Sequence, residues 1–228
     1  MQGIQSESKL QAAHAGRGAG HRDAIQALVP SRTFWTEVLI YAGRIRLFTA
    51  ADWTAYVLWV GLMICLFVTT FGFVLIGHFS GVVFPAYAWN VPLGVAIFTV
   101  SIAFDTIGHR TVYKEYLAQS EALVHHVTIF AGIASCILLS MAFSYREFLM
   151  FPALVMVFLS IFYSIIDEAM HWSRYSKMQS DRVEMWSHFG IFVGHLIFIS
   201  AWSYWFLMGY AGVAETLEAI NQFFRNPV

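Results

Sequence analysis

Five stretches of this chain stay apolar long enough to cross a lipid bilayer, which takes roughly 20 residues of helix. They lie near 54–78, 84–108, 124–144, 149–171 and 186–210. In hydrocarbon every backbone N–H and C=O must be satisfied within the segment, so runs of this length fold as helices. The composition agrees. The chain is 58% hydrophobic and only 12% charged, where a soluble domain carries about 25% charged residues. An all-α, polytopic membrane protein with about five transmembrane helices is the expected fold class.

The flanks divide the chain further. Residues 1–50 read as a polar N-terminal segment followed by an interfacial amphipathic helix over 34–50, where aromatic and aliphatic residues mix with Arg44 and Arg46. Residues 51–212 form the transmembrane domain, and 213–228 a short amphipathic tail ending near Pro227. Pro85, Asn90 and Pro92 interrupt the second run. It is therefore expected to begin as a loop or kinked turn and to become helical only after Pro92. The first 33 residues are polar and hold no apolar signal-peptide core. Cys65 and Cys136 both sit in apolar runs, so they read as membrane-facing or core thiols, not a disulfide.

Lys and Arg set the expected orientation. With a cytoplasmic N-terminus, eleven of the thirteen fall on the cytoplasmic side, among them Arg110, Lys114, Arg174, Lys177 and Arg182 in the turns between spans. Only Arg146 and Arg225 fall opposite. That asymmetry follows the positive-inside rule and puts the C-terminus on the far side. The expected location is a bacterial inner (cytoplasmic) membrane. A net charge of −1 carries no information about partners, and no feature points to nucleic acid.

Four carboxylates are each followed four residues later by a histidine: Asp105/His109, Glu121/His125, Asp167/His171 and Glu184/His188. That spacing puts both side chains of a pair on one helix face. In the expected topology all four pairs reach the cytoplasmic edge. Ionisable groups at the margin of a span are costly and usually functional. A lone pair reads equally well as two groups bonded to each other, but four on one membrane side favour a metal site.

A shift of 62 residues lays Asp105 on Asp167, His109 on His171, Tyr113 on Tyr175, His126 on His188, Ile129 on Ile191, Phe130 on Phe192 and Gly132 on Gly194. Seven identities over 105–132 exceed the roughly two that ordinary residue frequencies give. The spans over about 84–145 and 146–207 thus read as two copies of one helical hairpin. Together they would form a four-helix bundle with an approximate two-fold axis along the membrane normal. The shift equates His126 with His188, whereas the carboxylate spacing equates His125 with His188. Both histidines remain candidates. Asp167 and Glu168 are adjacent, so only one can face inward from a regular helix while the other supports it.

Carboxylates and imidazoles without thiolates suit iron, manganese, zinc or copper. The expected ligand set is Asp105, His109, Glu121, His125, His126, Asp167, Glu168, His171, Glu184 and His188, holding two metal ions, iron first. Tyr113 and Tyr175 are candidate supporting hydrogen-bond partners or interfacial anchors. Glu168-Ala-Met-His171 has the Glu-x-x-His spacing of soluble di-iron bundles. Asp105-x-x-x-His109 and Glu121-x-x-x-His125-His126 resemble the histidine boxes of membrane-bound fatty-acid desaturases and hydroxylases, with a carboxylate in place of the leading histidine. This resemblance covers about a third of the chain. It implies non-haem di-iron oxygen chemistry: hydroxylation or desaturation of a hydrophobic or lipidic substrate at the cytoplasmic face, with electrons from a donor protein or membrane complex.

His195 follows His188 by seven residues, about 10.5 Å deeper along a helix. It reads as a further ligand, a proton relay, or a buried histidine bonded within the protein. Three other classes stay open: a copper or zinc membrane enzyme such as a lipid hydrolase, a proton or cation transporter, and a haem-binding or accessory subunit. The span centres carry almost no ionisable group besides His195, which weighs against transport. No CxxCH occurs, which removes covalent c-type haem.

Overall fold

A computed structural model describes residues 33–111, 119–178 and 182–225. Helix α1 is Phe34–Gly43, followed by a 3-10 turn at Arg44–Leu47. The spans are α2 Ala50–Phe79, α3 Asn90–Thr111, α4 Gln119–Met141, α5 Arg146–Met178 and α6 Arg182–Leu207, and α7 Val213–Arg225 closes the chain. Among the described residues there is no strand. Five helices are long and apolar enough to cross a membrane, so the chain is an all-helical membrane protein. Leu58, Val68, Val100 and Phe158 are each at least 60% exposed along the spans, a surface suited to lipid and not to water.

Three boundaries differ from the sequence reading, each for a local reason. Residues 34–50 are not one helix. Thr49 accepts a hydrogen bond from the Asp52 amide while the Asp52 carboxylate takes the Thr49 amide, a capping box that starts α2 afresh at Ala50. Helical structure before Pro92 begins with a 3-10 turn, Ala86–Trp89, and α3 starts at Asn90. Pro92 lies in its first turn, where a missing N–H leaves no bond unmade. The last span stops at Leu207, because Gly209, Tyr210 and Gly212 all take positive φ. Residues 226–228, with Pro227, lie outside the described residues.

Of the two hairpins of the sequence reading, the second packs on itself, α5 on α6, but neither hairpin holds the most extensive helix contacts. α3 packs along α6 and α4 along α5, whereas the α3 and α4 backbones do not pack closely among the described residues and approach through the His109 and His125 rings. α5 also packs on α6, α2 covers α3, and α7 rests on α2. Glycine explains the α3–α6 contact. A Cβ at Gly94 would strike the Phe198 backbone, one at Gly194 the Phe98 backbone, and one at Gly190 the Ser101 hydroxyl. Small residues at these crossings let the two backbones meet, the usual route to close helix pairs in membranes.

The end of the bundle near Arg146 is tied together. The Arg146 guanidinium donates to the carbonyls of Phe206 (2.6 Å) and Leu207 (2.9 Å), satisfying acceptors left open at the end of α6. The Tyr210 hydroxyl donates to the Leu139 carbonyl at the end of α4 and receives the Trp202 indole N–H. Phe84, Val91, Leu139, Phe206 and Tyr210 form one buried apolar cluster there. At the opposite end the ionisable residues of α3, α4, α5 and α6 gather.

Candidate metal centre

Asp167 lies at the middle of this gathering. Its Oδ2 is 3.2 Å from His125 Nδ1 and 3.7 Å from His188 Nε2, and its Oδ1 is 3.8 Å from His171 Nε2. Three helices contribute: α4 with His125, α5 with Asp167 and His171, α6 with His188. One donor atom from each of His125, Asp167 and His188 lies within 4.8 Å of the others. His171 and His188 stack face to face, their ring centroids 3.3 Å apart.

The Asp167/Glu168 pair divides as a regular helix requires. Asp167 points among the histidines. Glu168 turns aside, its Oε2 3.0 Å from His188 Nδ1, and its Oε1 accepts the Trp172 indole N–H at 2.6 Å. A carboxylate on Nδ1 fixes the proton there and leaves Nε2 with its lone pair toward Asp167. Trp172 is a partner the sequence reading missed. Its signal was the four-residue spacing from Glu168.

α3 brings the other pair. Asp105 is buried, its Oδ2 3.5 Å from His109 Nε2. The His109 ring lies 5.8 Å from that of His125 and 6.5 Å from that of His171. Asp105 Oδ1, Asp167 Oδ1 and His188 Nε2 are all buried without a hydrogen-bond partner among the described residues. Buried polar atoms left so cost about 1–3 kcal/mol each, more if charged. The donor atoms of His125, Asp167 and His188, which lie within 4.8 Å of one another, could share a cation that meets buried atoms of this kind, so this donor set fits a metal.

The remaining predicted residues divide. His126 is exposed, whereas His125 lies 3.2 Å from Asp167, so helix phase favours His125. Glu184 is buried one turn before His188 in α6. Tyr175 packs edge-on against Trp172. The Glu121 side chain and Tyr113 lie outside the described residues. His195 is buried on the wall of the same cavity, its Nε2 2.7 Å from Ser160 Oγ, and it stands apart from the cluster.

The gap between α3 and α4 is a cavity of about 200 Å³. Asp105, His125, Asp167 and His188 line it together with apolar side chains, among them Trp59, Met63, Phe98, Ile102 and Ile133. Its wall includes α2, which lies outside the 62-residue repeat. Cys136, a free thiol, also lines it.

Searches against family models, curated proteins and solved structures found no significant match to this chain.

Proposed function

We propose that this chain is an integral membrane metalloprotein holding two metal ions, iron in the first reading, and that it oxidises a hydrophobic or lipidic substrate with oxygen. The observation that carries the reading is the approach of His125, Asp167 and His188, with donor atoms within 4.8 Å of one another, at a site where Asp167 Oδ1 and His188 Nε2 are buried without hydrogen-bond partners among the described residues. His125, His188 and Asp167 bring together imidazole and carboxylate donors, the ligand types that non-haem iron takes. The carboxylate behind His188 Nδ1 is the usual support for a ligating histidine.

The repeat suggests how two ions would divide the ligands. Because α3 pairs with α6 and α4 with α5, each site would draw an Asp and a His from one helix and a His from its close neighbour. Asp105, His109 and His188 would hold one ion, and Asp167, His171 and His125 the other. This reading treats the two segments as related by a two-fold axis, with ligands exchanged between copies. Orientation follows the Lys/Arg asymmetry, which places the cluster at the cytoplasmic edge. An electron-donor protein or a larger membrane complex would reach it there.

The metals would supply oxygen activation, and the residues of the chain would prepare the site for it. Glu168 holds the His188 ring and its tautomer. Asp105 and Asp167 offset the charge of the cations. The apolar cavity receives the substrate from the bilayer side and keeps water from the cluster. A copper or zinc enzyme is the second reading, favoured by the number of imidazoles, with His109, His125, His171 and His188 set against Asp105 and Asp167.

Reconstitution of metal-stripped protein separately with iron, copper and zinc tests the proposal. Oxygen consumption should require a reductant and return with iron. Its return with copper alone moves the assignment to copper. Oxygen consumption with none of the three metals overturns the oxidase reading.

A further inference from the structure

Three cavity-side positions break the internal repeat in the same sense. On α5, Ser160, Ser164 and Asp167 follow one another at four- and three-residue steps and share a helix face. The 62-residue shift aligns them with Phe98, Ile102 and Asp105 on α3, and aligns His195 on α6 with Ile133 on α4. The carboxylate persists in both copies, while the apolar residues deeper in the first copy become polar in the second. Since the first copy packs with Phe98, Ile102 and Ile133 at these places, helix pairing does not demand the polar residues.

These polar groups are buried in or beside the cavity wall. Ser160 is 0%, Ser164 6% and His195 5% exposed. Ser164 and His195 line the cavity, and Ser160 stands behind His195. The bond to Ser160 through Nε2 is the one hydrogen bond His195 makes to a described residue, and the Ser164 hydroxyl makes none to a described residue. A polar atom in an apolar span without a protein partner is costly unless a ligand or water meets it. The opposite wall is hydrocarbon, from Met63, Phe98, Ile102 and Ile133. Away from Asp105 and His125, the cavity therefore sets Ser164 and His195 against mainly apolar side chains of α2, α3 and α4.

We propose that Ser164 and His195 form a binding subsite for the hydroxyl group of an apolar alcohol whose hydrocarbon body lies against the α2–α3–α4 wall. A hydroxyl both donates and accepts, so it pairs with Ser164 and with either tautomer of His195. Ser164 precedes Asp167 by three residues and His195 follows His188 by seven. At about 1.5 Å per residue the subsite lies roughly 5–10 Å from the carboxylate–histidine cluster. The inference rests on the proposed function in one respect: the cluster would act on a carbon several bonds from the hydroxyl.

Trp59 lines the cavity and serves as the reporter. Its contribution to fluorescence is the difference between wild type and Trp59→Phe. A short terminal bromoalkanol and the bromoalkane of equal chain length are titrated as quenchers in detergent. The alcohol should saturate Trp59 quenching at about tenfold lower concentration than the alkane. Ser164→Ala and His195→Ile, the latter installing the residue of the first copy, should each reduce that preference and leave the alkane curve in place. Ser164→Ala removes one oxygen and serves if the His195 variant does not fold. Equal quenching by the two compounds, or a preference unchanged in both variants, overturns the subsite. Metal content is measured on the same preparations. Full metal with no alcohol preference overturns the subsite alone, and preference without metal supports the subsite while removing the metal reading.

Discussion

Glu168 holds His188 through its Nδ1, at 3.0 Å, and so turns Nε2 of the same ring toward Asp167, 3.7 Å away. One imidazole thus joins a carboxylate that supports to a carboxylate that faces the site. Glu168→Gln should keep the shape of the side chain but lose the charge that orients the ring. Metal affinity is expected to fall by about 10- to 100-fold, read by competition titration with a chelating dye. Trp172→Phe frees Glu168 Oε1 and should produce a smaller loss in the same titration.

His125 and His126 are neighbours in sequence but not in role. His125 reaches Asp167 at 3.2 Å, whereas His126 is exposed. His125→Ala should lower bound metal, and His126→Ala should leave it at the wild-type level. Elemental analysis of the two purified variants checks this, and equal losses would contradict the helix phase described above.

Much of this arrangement was legible in the sequence, and the gaps have physical causes. Hydropathy located the spans because the bilayer fixes their length. The four-residue carboxylate–histidine spacing found Asp105, His109, Asp167, His171 and His188 because one helix face carries each pair. The start of α2 was missed although Thr49 and Asp52 carry a capping signal, because an apolar and aromatic run on both sides of it reads as one helix. Helix neighbours were misread for a different reason. The 62-residue repeat relates two segments, but it does not say which helices touch. That was decided by Gly94, Gly190 and Gly194, whose missing side chains bring α3 onto α6. Nothing local separated Asp167 from Glu168 either, since the choice depends on where α6 places His188.

The α3–α6 crossing gives a stability prediction. Gly194→Ala would put a Cβ against the Phe98 backbone, which has no flexible side chain to yield. Overpacking of this kind costs about 1–3 kcal/mol. Gly61→Ala, where no atom lies within 4 Å, should change little. Thermal unfolding in detergent should separate the two variants clearly.

Tyr210 ties the far end of the bundle and should affect stability without touching metal. Tyr210→Phe leaves the Trp202 N–H and the Leu139 carbonyl without this hydroxyl, a loss of about 1 kcal/mol. Burial pushes the phenol above its ordinary value of 10.0. Above that pH the unfolded chain releases the proton while the folded chain retains it, so folding stability falls as pH rises from there through the folded-state value. The alkaline loss should be weaker in Tyr210→Phe, measured as melting temperature against pH, with metal content equal to wild type.

The central claim is that carboxylates and imidazoles from α3, α4, α5 and α6 hold metal. Elemental analysis of protein purified from membranes without chelators tests it most directly, alongside a paired Asp105→Asn/Asp167→Asn variant that remains folded by its melting curve. The account predicts about two transition-metal ions per chain, iron foremost, and their loss in the variant. Wild-type protein with no stoichiometric transition metal, or a variant that retains the full complement, would contradict it.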